Sequence, residues 1–223
     1  MIKAVLFDLD GTLLNRDESV KRFIEDQYDR LHQWIGHIPK ETYIARFIEL
    51  DNRGYVWKDK VYAQLVAEFS VDLTAEALLQ DYLNEFCRCC VPFPNLISML
   101  QQLKSCNLIL GMITNGFWKF QMDNIKALQI DSYFEVILVS EWEGIKKPST
   151  EIFHRALERL QVRPEESVYV GDHPENDVKA AKAAGLKAVW KRDKYWEQAE
   201  AEYSIVDLQE LVAIVSEWNK NEE

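Results

Sequence analysis

Short apolar runs and longer amphipathic stretches succeed one another along this chain, and their periods predict its elements. KAVLF at 3–7 is brief, almost wholly apolar and closed by a glycine turn, which predicts a buried strand. Between 17 and 86 the apolar residues return at helical spacing in SVKRFIEDQYDRLHQWI, KETYIARFIEL, KDKVYAQLVAEF and TAEALLQDYLNEF, and no strand-like run of similar strength interrupts them. This is the pattern of an inserted helical segment, jointed at GHIP (36–39), DNRGY (51–55) and SVDLT (70–74), with Thr74 placed as a helix N-cap. From VPFPN onward helices and strands alternate: helices at 94–105, 117–128, 149–160 and 175–184, strands at 107–114, 135–139, 167–171 and 186–190. YSIVDLQELVAIVSEW adds a short strand and a closing helix, and the NKNEE tail is expected to fray. The expectation is an α/β fold: a Rossmann-like, doubly wound parallel sheet from 1–15 and 87–223, with a helical bundle inserted at 16–86.

Composition narrows the class. With 223 residues, 48% of them hydrophobic, the chain can bury a substantial core. Its formal charge of -11 (26 basic against 37 acidic residues) repels polyanions, which argues against nucleic-acid polymers and anionic membranes as partners. No apolar stretch reaches the roughly 18–20 residues of a membrane span, and Met1 to Leu14 lacks a signal-peptide pattern, so a cytoplasmic protein is expected. Cys87, Cys89, Cys90 and Cys106 are too few for a disulfide scaffold. The C-x-C-C spacing in FCRCCVP is not a usual zinc pattern, and these residues read as small apolar side chains near a helix end.

The candidate chemistry lies at the strand ends, where ligands of such sheets bind. In VLFDLDGTLL the first strand finishes with Asp8 and Asp10, which share a face if the extended geometry persists, about 6–7 Å apart. Two like charges leaving water together require a cation, a proton or a turn that parts them. Three further ends carry polar residues: Thr114 and Asn115 close LILGMITNG, Lys146 and Lys147 precede Pro148, and Asp172 and Asp177 follow SVYVG.

In these positions and this order, the chain resembles the haloacid dehalogenase-like hydrolase superfamily: D-x-D-G-T at Asp8 to Thr12, Thr114-Asn115, Lys147-Pro148, and G-D-x-x-x-x-D at Gly171 to Asp177. The resemblance implies a phosphatase whose helical insertion is a cap and whose core is catalytic. It implies Asp8 as nucleophile, Asp10 as acid/base, Thr114 and Lys147 as phosphate contacts, and Asp172 as a Mg²⁺ ligand with Asp177 completing the metal shell.

The residue types suit those roles. A carboxylate attacking phosphorus forms an aspartyl phosphate, and a Mg²⁺ shared by Asp8, Asp172 and the Asp10 carbonyl would screen the repulsion between two anions. The turn amides of Leu9, Gly11 and Thr12, the Thr114 hydroxyl and the Lys147 charge are expected to bind the transferring group, and Asn115, placed with them, to orient Asp8. Asp10 separates phosphate chemistry from dehalogenation, because a departing alkoxide needs a proton and a halide does not.

Around this set, His173 reads as loop polarity, Trp118 as a border of the site mouth, and Arg53 or Lys58 as selectivity residues, with Asn15 and Arg16 at the entry to the insertion as further candidates. The expected activity is Mg²⁺-dependent hydrolysis of a small phosphorylated metabolite. A phosphotransferase of the sugar phosphomutase kind, a haloacid dehalogenase and a non-catalytic binding protein are the alternatives.

Overall fold

A computed structural model describes residues 1–220, and the chain forms two compact units, one of Met1–Asn15 with the chain from Pro92 onward, the other Arg16–Val91. In chain order the elements are β1 (Ala4–Phe7), α1 (Arg16–Arg30), α2 (His32–Ile35), α3 (Lys40–Asp51), α4 (Lys58–Phe69), α5 (Ala75–Glu85) and α6 (Leu96–Ser105). They continue with β2 (Ile109–Thr114), α7 (Trp118–Ala127), β3 (Val136–Val139), α8 (Ser140–Glu143), α9 (Thr150–Leu160) and β4 (Ser167–Gly171). A π-helical segment, Pro174–Lys179, leads into α10 (Ala180–Ala183), and β5 (Lys187–Lys191), β6 (Tyr203–Ile205) and α11 (Glu210–Lys220) close the chain.

In the first unit six parallel strands run in the order β3-β2-β1-β4-β5-β6. β1, AVLF, is buried at every residue, as a strand covered on both faces must be. On one face Leu6, Ile113, Leu138 and Tyr169 pack with Ile152, Phe153, Ala156 and Leu160. These last four form the apolar stripe of α9, whose Ser149 side chain accepts from the Glu151 amide as its N-cap. The order of the sheet reverses between β1 and β4, so the loops after these two strands part and leave a crevice at their carboxyl ends. Among the described residues no helix is long and apolar enough to cross a membrane.

The second unit packs α1, α3, α4 and α5 around aromatic pairs, Phe23 with Tyr82 at 5.1 Å and Phe47 with Tyr62 at 5.5 Å. Thr74 caps α5, accepting from the Ala77 amide at 3.1 Å. The expected return to the α/β part at residue 87 falls inside this unit. Phe86, 5.1 Å from the Tyr82 ring, anchors the 3₁₀ turn Phe86–Cys89, and the Val91 amide donates to the Ser19 hydroxyl, so the crossing comes at Pro92. Cys87, Cys89 and Cys90 are half-buried on and beside this turn.

At the far end, the expectation of a frayed tail is corrected for Asn219 and Lys220, which belong to α11. The Asn219 side chain accepts from the Ile2 amide and donates to the Ile2 carbonyl. The rest of the expected tail lies outside the described residues.

Candidate active site

β1 delivers Asp8 into the crevice, and the turn that follows folds back on itself: the Leu9 carbonyl accepts from the amides of Thr12, Leu13 and Leu14, and the Gly11 amide donates to the Leu14 carbonyl. Gly11 has φ +83°, and a Cβ there would lie 2.5 Å from Asp172 Oδ2. Only glycine permits both the conformation and that approach. Gly171, at the end of β4, is matched in the same way to the Asp177 carboxyl, which occupies the space of its missing Cβ. The two glycines bring loops of distant sequence close enough for Asp8, Asp172 and Asp177 each to offer a carboxylate oxygen, all within 4.8 Å of one another.

Lys147 stands among them, buried at 4% exposure. Its ammonium donates to Asp8 Oδ1 and Asp177 Oδ1, both at 2.6 Å, and to the Tyr169 hydroxyl at 2.9 Å. Tyr169 passes its own hydrogen to the Ile113 carbonyl. Burial works against the Lys147 charge, but Asp177 and Asp8 outweigh it and hold the ammonium well above its ordinary value.

One cation does not balance three carboxylates. Burial, reinforced by Asp177, pushes the Asp8 carboxyl up to about 7 against the pull of Lys147. Burial again, with Asp177 and Asp8 beside it, pushes Asp172 well above the carboxylate range. Both would ionise more readily beside a further positive charge. Oxygen donors only, clustered and under-neutralised, are the donor set of a hard divalent cation, so the residues present fit one.

Several of the other expected residues have partners different from those expected. Lys147 has all three ammonium hydrogens engaged by protein oxygens, so its charge, rather than a free N–H, faces the site. Lys146 lines a surface groove with Phe117 and Ser140 instead. Asn115 does not orient Asp8: its side chain donates to the Lys147 carbonyl at 3.0 Å and accepts from the Lys147 amide at 2.9 Å, clasping the lysine's backbone. The amides of Gly11 and Thr12 serve the turn's own carbonyls, so they are not open donors, and Leu9 is fully buried. The Thr12 hydroxyl, by contrast, is buried with no partner among the described residues.

Asp10, expected with its side chain free, accepts from Gln121 Nε2 at 2.8 Å through Oδ2. The same nitrogen reaches Thr114 Oγ1 at 2.7 Å. Asp177 Oδ2 accepts from the His173 amide, and His173 Nδ1 accepts from the amides of Glu175 and Asn176, which caps the π-helical segment. Trp118 stacks on Trp142 at 5.4 Å, and its amide donates to Glu141.

In the helical unit, Lys58 is 2% exposed, its ammonium paired with Asp51, which Arg16 also binds at 2.9 Å; the expectation that Lys58 contacts a substrate gives way to a buried ion pair. Arg53 lies on the adjoining turn Asn52–Gly54, where three successive residues have positive φ.

Sequence reading missed Gln121, Tyr169 and Trp190, whose indole N–H donates to the Asp172 carbonyl at 2.7 Å. Gln121 left one trace, a polar residue on the inward stripe of α7 beside Ile125. Tyr169 left another, a hydroxyl in the middle of a buried strand.

A parallel α/β sheet with a lysine-bridged carboxylate cluster at its switch point defines a hydrolase of the haloacid dehalogenase-like type. The chain belongs to this family: the family profile, haloacid dehalogenase-like hydrolase, matches residues 5–191. Among its relatives is the glyceraldehyde 3-phosphate phosphatase of Methanocaldococcus jannaschii, 33% identical over 99% of this chain and 100% of that protein. The phosphoserine phosphatase of Thermus thermophilus is 27% identical over 85% and 88% of the two chains. Among solved structures, the HAD phosphatase of Thermococcus onnurineus superposes with a TM-score of 0.69 at 31% identity, covering 96% of this chain and 98% of that one.

Proposed function

We propose that this chain is a Mg²⁺-dependent phosphatase that hydrolyses a small phosphate monoester through a phosphorylated Asp8. The observation that carries the reading is the position of Asp8: nearly buried at the carboxyl end of β1, hydrogen-bonded by Lys147 and clustered with Asp172 and Asp177. The names of relatives that act on glyceraldehyde 3-phosphate and phosphoserine support the substrate class.

Asp8 and Asp172, with Asp177 beside them, are the residues to hold Mg²⁺, and the Asp10 carbonyl is the further oxygen assigned to it. Bound there, the ion supplies Lewis-acid screening of the charge between an anionic nucleophile and an anionic ester. Lys147 keeps Asp8 oriented and adds its own positive charge, and Thr114 offers its hydroxyl to a phosphoryl oxygen.

An Asp8 oxygen attacks phosphorus as the bond to the ester oxygen breaks, and Asp10 gives its proton to the departing alkoxide. Asp10, now ionised, takes a proton from the water that attacks the aspartyl phosphate, which releases inorganic phosphate and restores both carboxyl groups. The helical unit, Arg16–Val91, is assigned the part of a cap that selects the rest of the substrate, with Arg53 its candidate contact.

Turnover of a panel of metabolite phosphates, beginning with glyceraldehyde 3-phosphate and phosphoserine, tests the reading. Phosphate released one-for-one with ester consumed, dependent on Mg²⁺ and abolished by Asp8→Asn, is expected. An isomeric sugar phosphate formed without net phosphate release would make the chain a phosphotransferase, and equal turnover by Asp8→Asn would refute the mechanism.

A further inference from the structure

Gln121 is 2% exposed, and its amide nitrogen lies within hydrogen-bond distance of three oxygens: Thr114 Oγ1 at 2.7 Å, Asp10 Oδ2 at 2.8 Å and the Asn115 carbonyl at 3.2 Å. The Asn115 carbonyl accepts only, so the nitrogen must face it, and with it the Asp10 and Thr114 oxygens. The reversed amide would set its own oxygen against that carbonyl. Asn124 Nδ2 approaches Gln121 Oε1 at 3.5 Å from the other side, which agrees with this orientation.

We propose that Gln121 is a positioning residue that fixes the direction of hydrogen bonding at Asp10 and Thr114 together. The carbonyl-type oxygen of a carboxylic acid is the better acceptor, so the Gln121 N–H favours Oδ2 as the unprotonated oxygen and leaves Oδ1 to carry the Asp10 proton. Thr114, accepting from Gln121, keeps its own hydroxyl hydrogen to donate elsewhere, and the transferring phosphoryl group is the acceptor its role requires. One side chain thereby sets which Asp10 oxygen exchanges the proton and which way the Thr114 hydroxyl points.

This inference rests on the reading of Asp10 as acid/base, and it adds no step to the reaction. When the ester P–O bond breaks, the proton on Oδ1 goes to the leaving oxygen, and the carboxylate left behind is already hydrogen-bonded at Oδ2. In the second half, Oδ1 takes the proton back from water. Gln121 transfers nothing; it keeps one oxygen occupied throughout.

The test uses the full chain with Mg²⁺ and two esters that differ in their need for an acid: glyceraldehyde 3-phosphate, an alkyl ester, and 4-nitrophenyl phosphate, whose leaving phenolate departs without a proton. Gln121→Met is expected to lower kcat on the alkyl ester about tenfold or more, part of the factor general acid–base catalysis supplies, with KM within about twofold. The first-turnover burst of nitrophenolate, which needs no acid, should fall clearly less than kcat on the alkyl ester. In an Asp10→Asn background the same substitution should cost several-fold less than in wild type, because the acid/base it positions is gone and only its hold on Thr114 remains.

Should Gln121→Met fail to fold, Gln121→Glu keeps the volume and is expected to lose more, since it turns an acceptor on Asp10. Wild-type kcat in a folded Gln121 variant, or an equal loss on both esters that adds in full to Asp10→Asn, overturns the proposal and leaves the phosphatase reading standing. A wild-type chain without Mg²⁺-dependent turnover, or Asp8→Asn as active as wild type, overturns both.

Discussion

Lys147 and Asp8 are 139 residues apart in sequence, and the lysine ammonium donates to the Asp8 carboxylate at 2.6 Å. The same ammonium holds Asp177 and Tyr169, so a single cation joins the ends of β1 and β4. Lys147→Met would leave two carboxylates facing each other in a buried site. A broken buried pair costs about 3–5 kcal/mol, which for a chain of this size lowers Tm by roughly 10 °C. A thermal melt should show that loss together with loss of turnover. Adding Asp177→Asn should recover much of the Tm and none of the activity, because the repulsion is relieved while Asp8 stays unsupported.

The under-neutralised cluster predicts how the chain responds to metal removal. With Asp8 and Asp172 both pushed upward chiefly by burial, a divalent cation should stabilise the folded chain. At a hundred times its Kd, a ligand adds about 2.7 kcal/mol, so Mg²⁺ added after chelation should raise Tm by roughly 5–10 °C. Asp172→Asn should raise the Tm of the chelated protein and shrink the Mg²⁺ increment. A chelated wild type that melts at the same temperature with and without Mg²⁺ would contradict this account of the cluster.

In the helical unit, Asp51 is a carboxylate shared by Arg16 and the buried Lys58. Asp51→Ala takes a carboxylate away from the buried Lys58 ammonium and should cost about 3–5 kcal/mol in urea unfolding, whereas Asp51→Ala with Lys58→Met should recover a large part of that. If Arg53 selects the substrate from the turn these residues brace, Arg53→Ala should shift relative turnover across a phosphate-ester panel with little change in the urea midpoint.

Glu166, just before β4, gives a pH dependence of known sign. Hydrogen bonds from Arg163 and then Lys3 hold its carboxyl down at about 2, below the 4.5 of an unperturbed glutamate. A depressed folded-state value favours the ionised form, so the contribution is full above about pH 4.5 and fades as pH falls toward about 2. Wild type should therefore be more stable than Glu166→Gln by a constant margin from pH 6 to 8, and the urea midpoints should converge as the pH is lowered through that window.

The sequence by itself determined the elements and the strand-end chemistry. Strand and helix periods are local: KAVLF is β1 to within a residue, Thr74 is the cap of α5, and Asp8 and Asp172 stand where a strand meets its loop. Tertiary structure decided the partners. Asn115 and Lys147 are 32 residues apart, and nothing in either segment says that the amide clasps the lysine's backbone instead of orienting Asp8. Lys58 reads as a candidate selectivity residue until Asp51 and Arg16 are folded against it. Gln121 shows only as a polar residue on an apolar stripe, and its contact with Asp10 spans 111 residues. The physical reason is common to all three. Periodicity records which face of an element is buried, while hydrogen-bond and ion-pair partners depend on distances between elements, and those exist only once the chain has closed on itself.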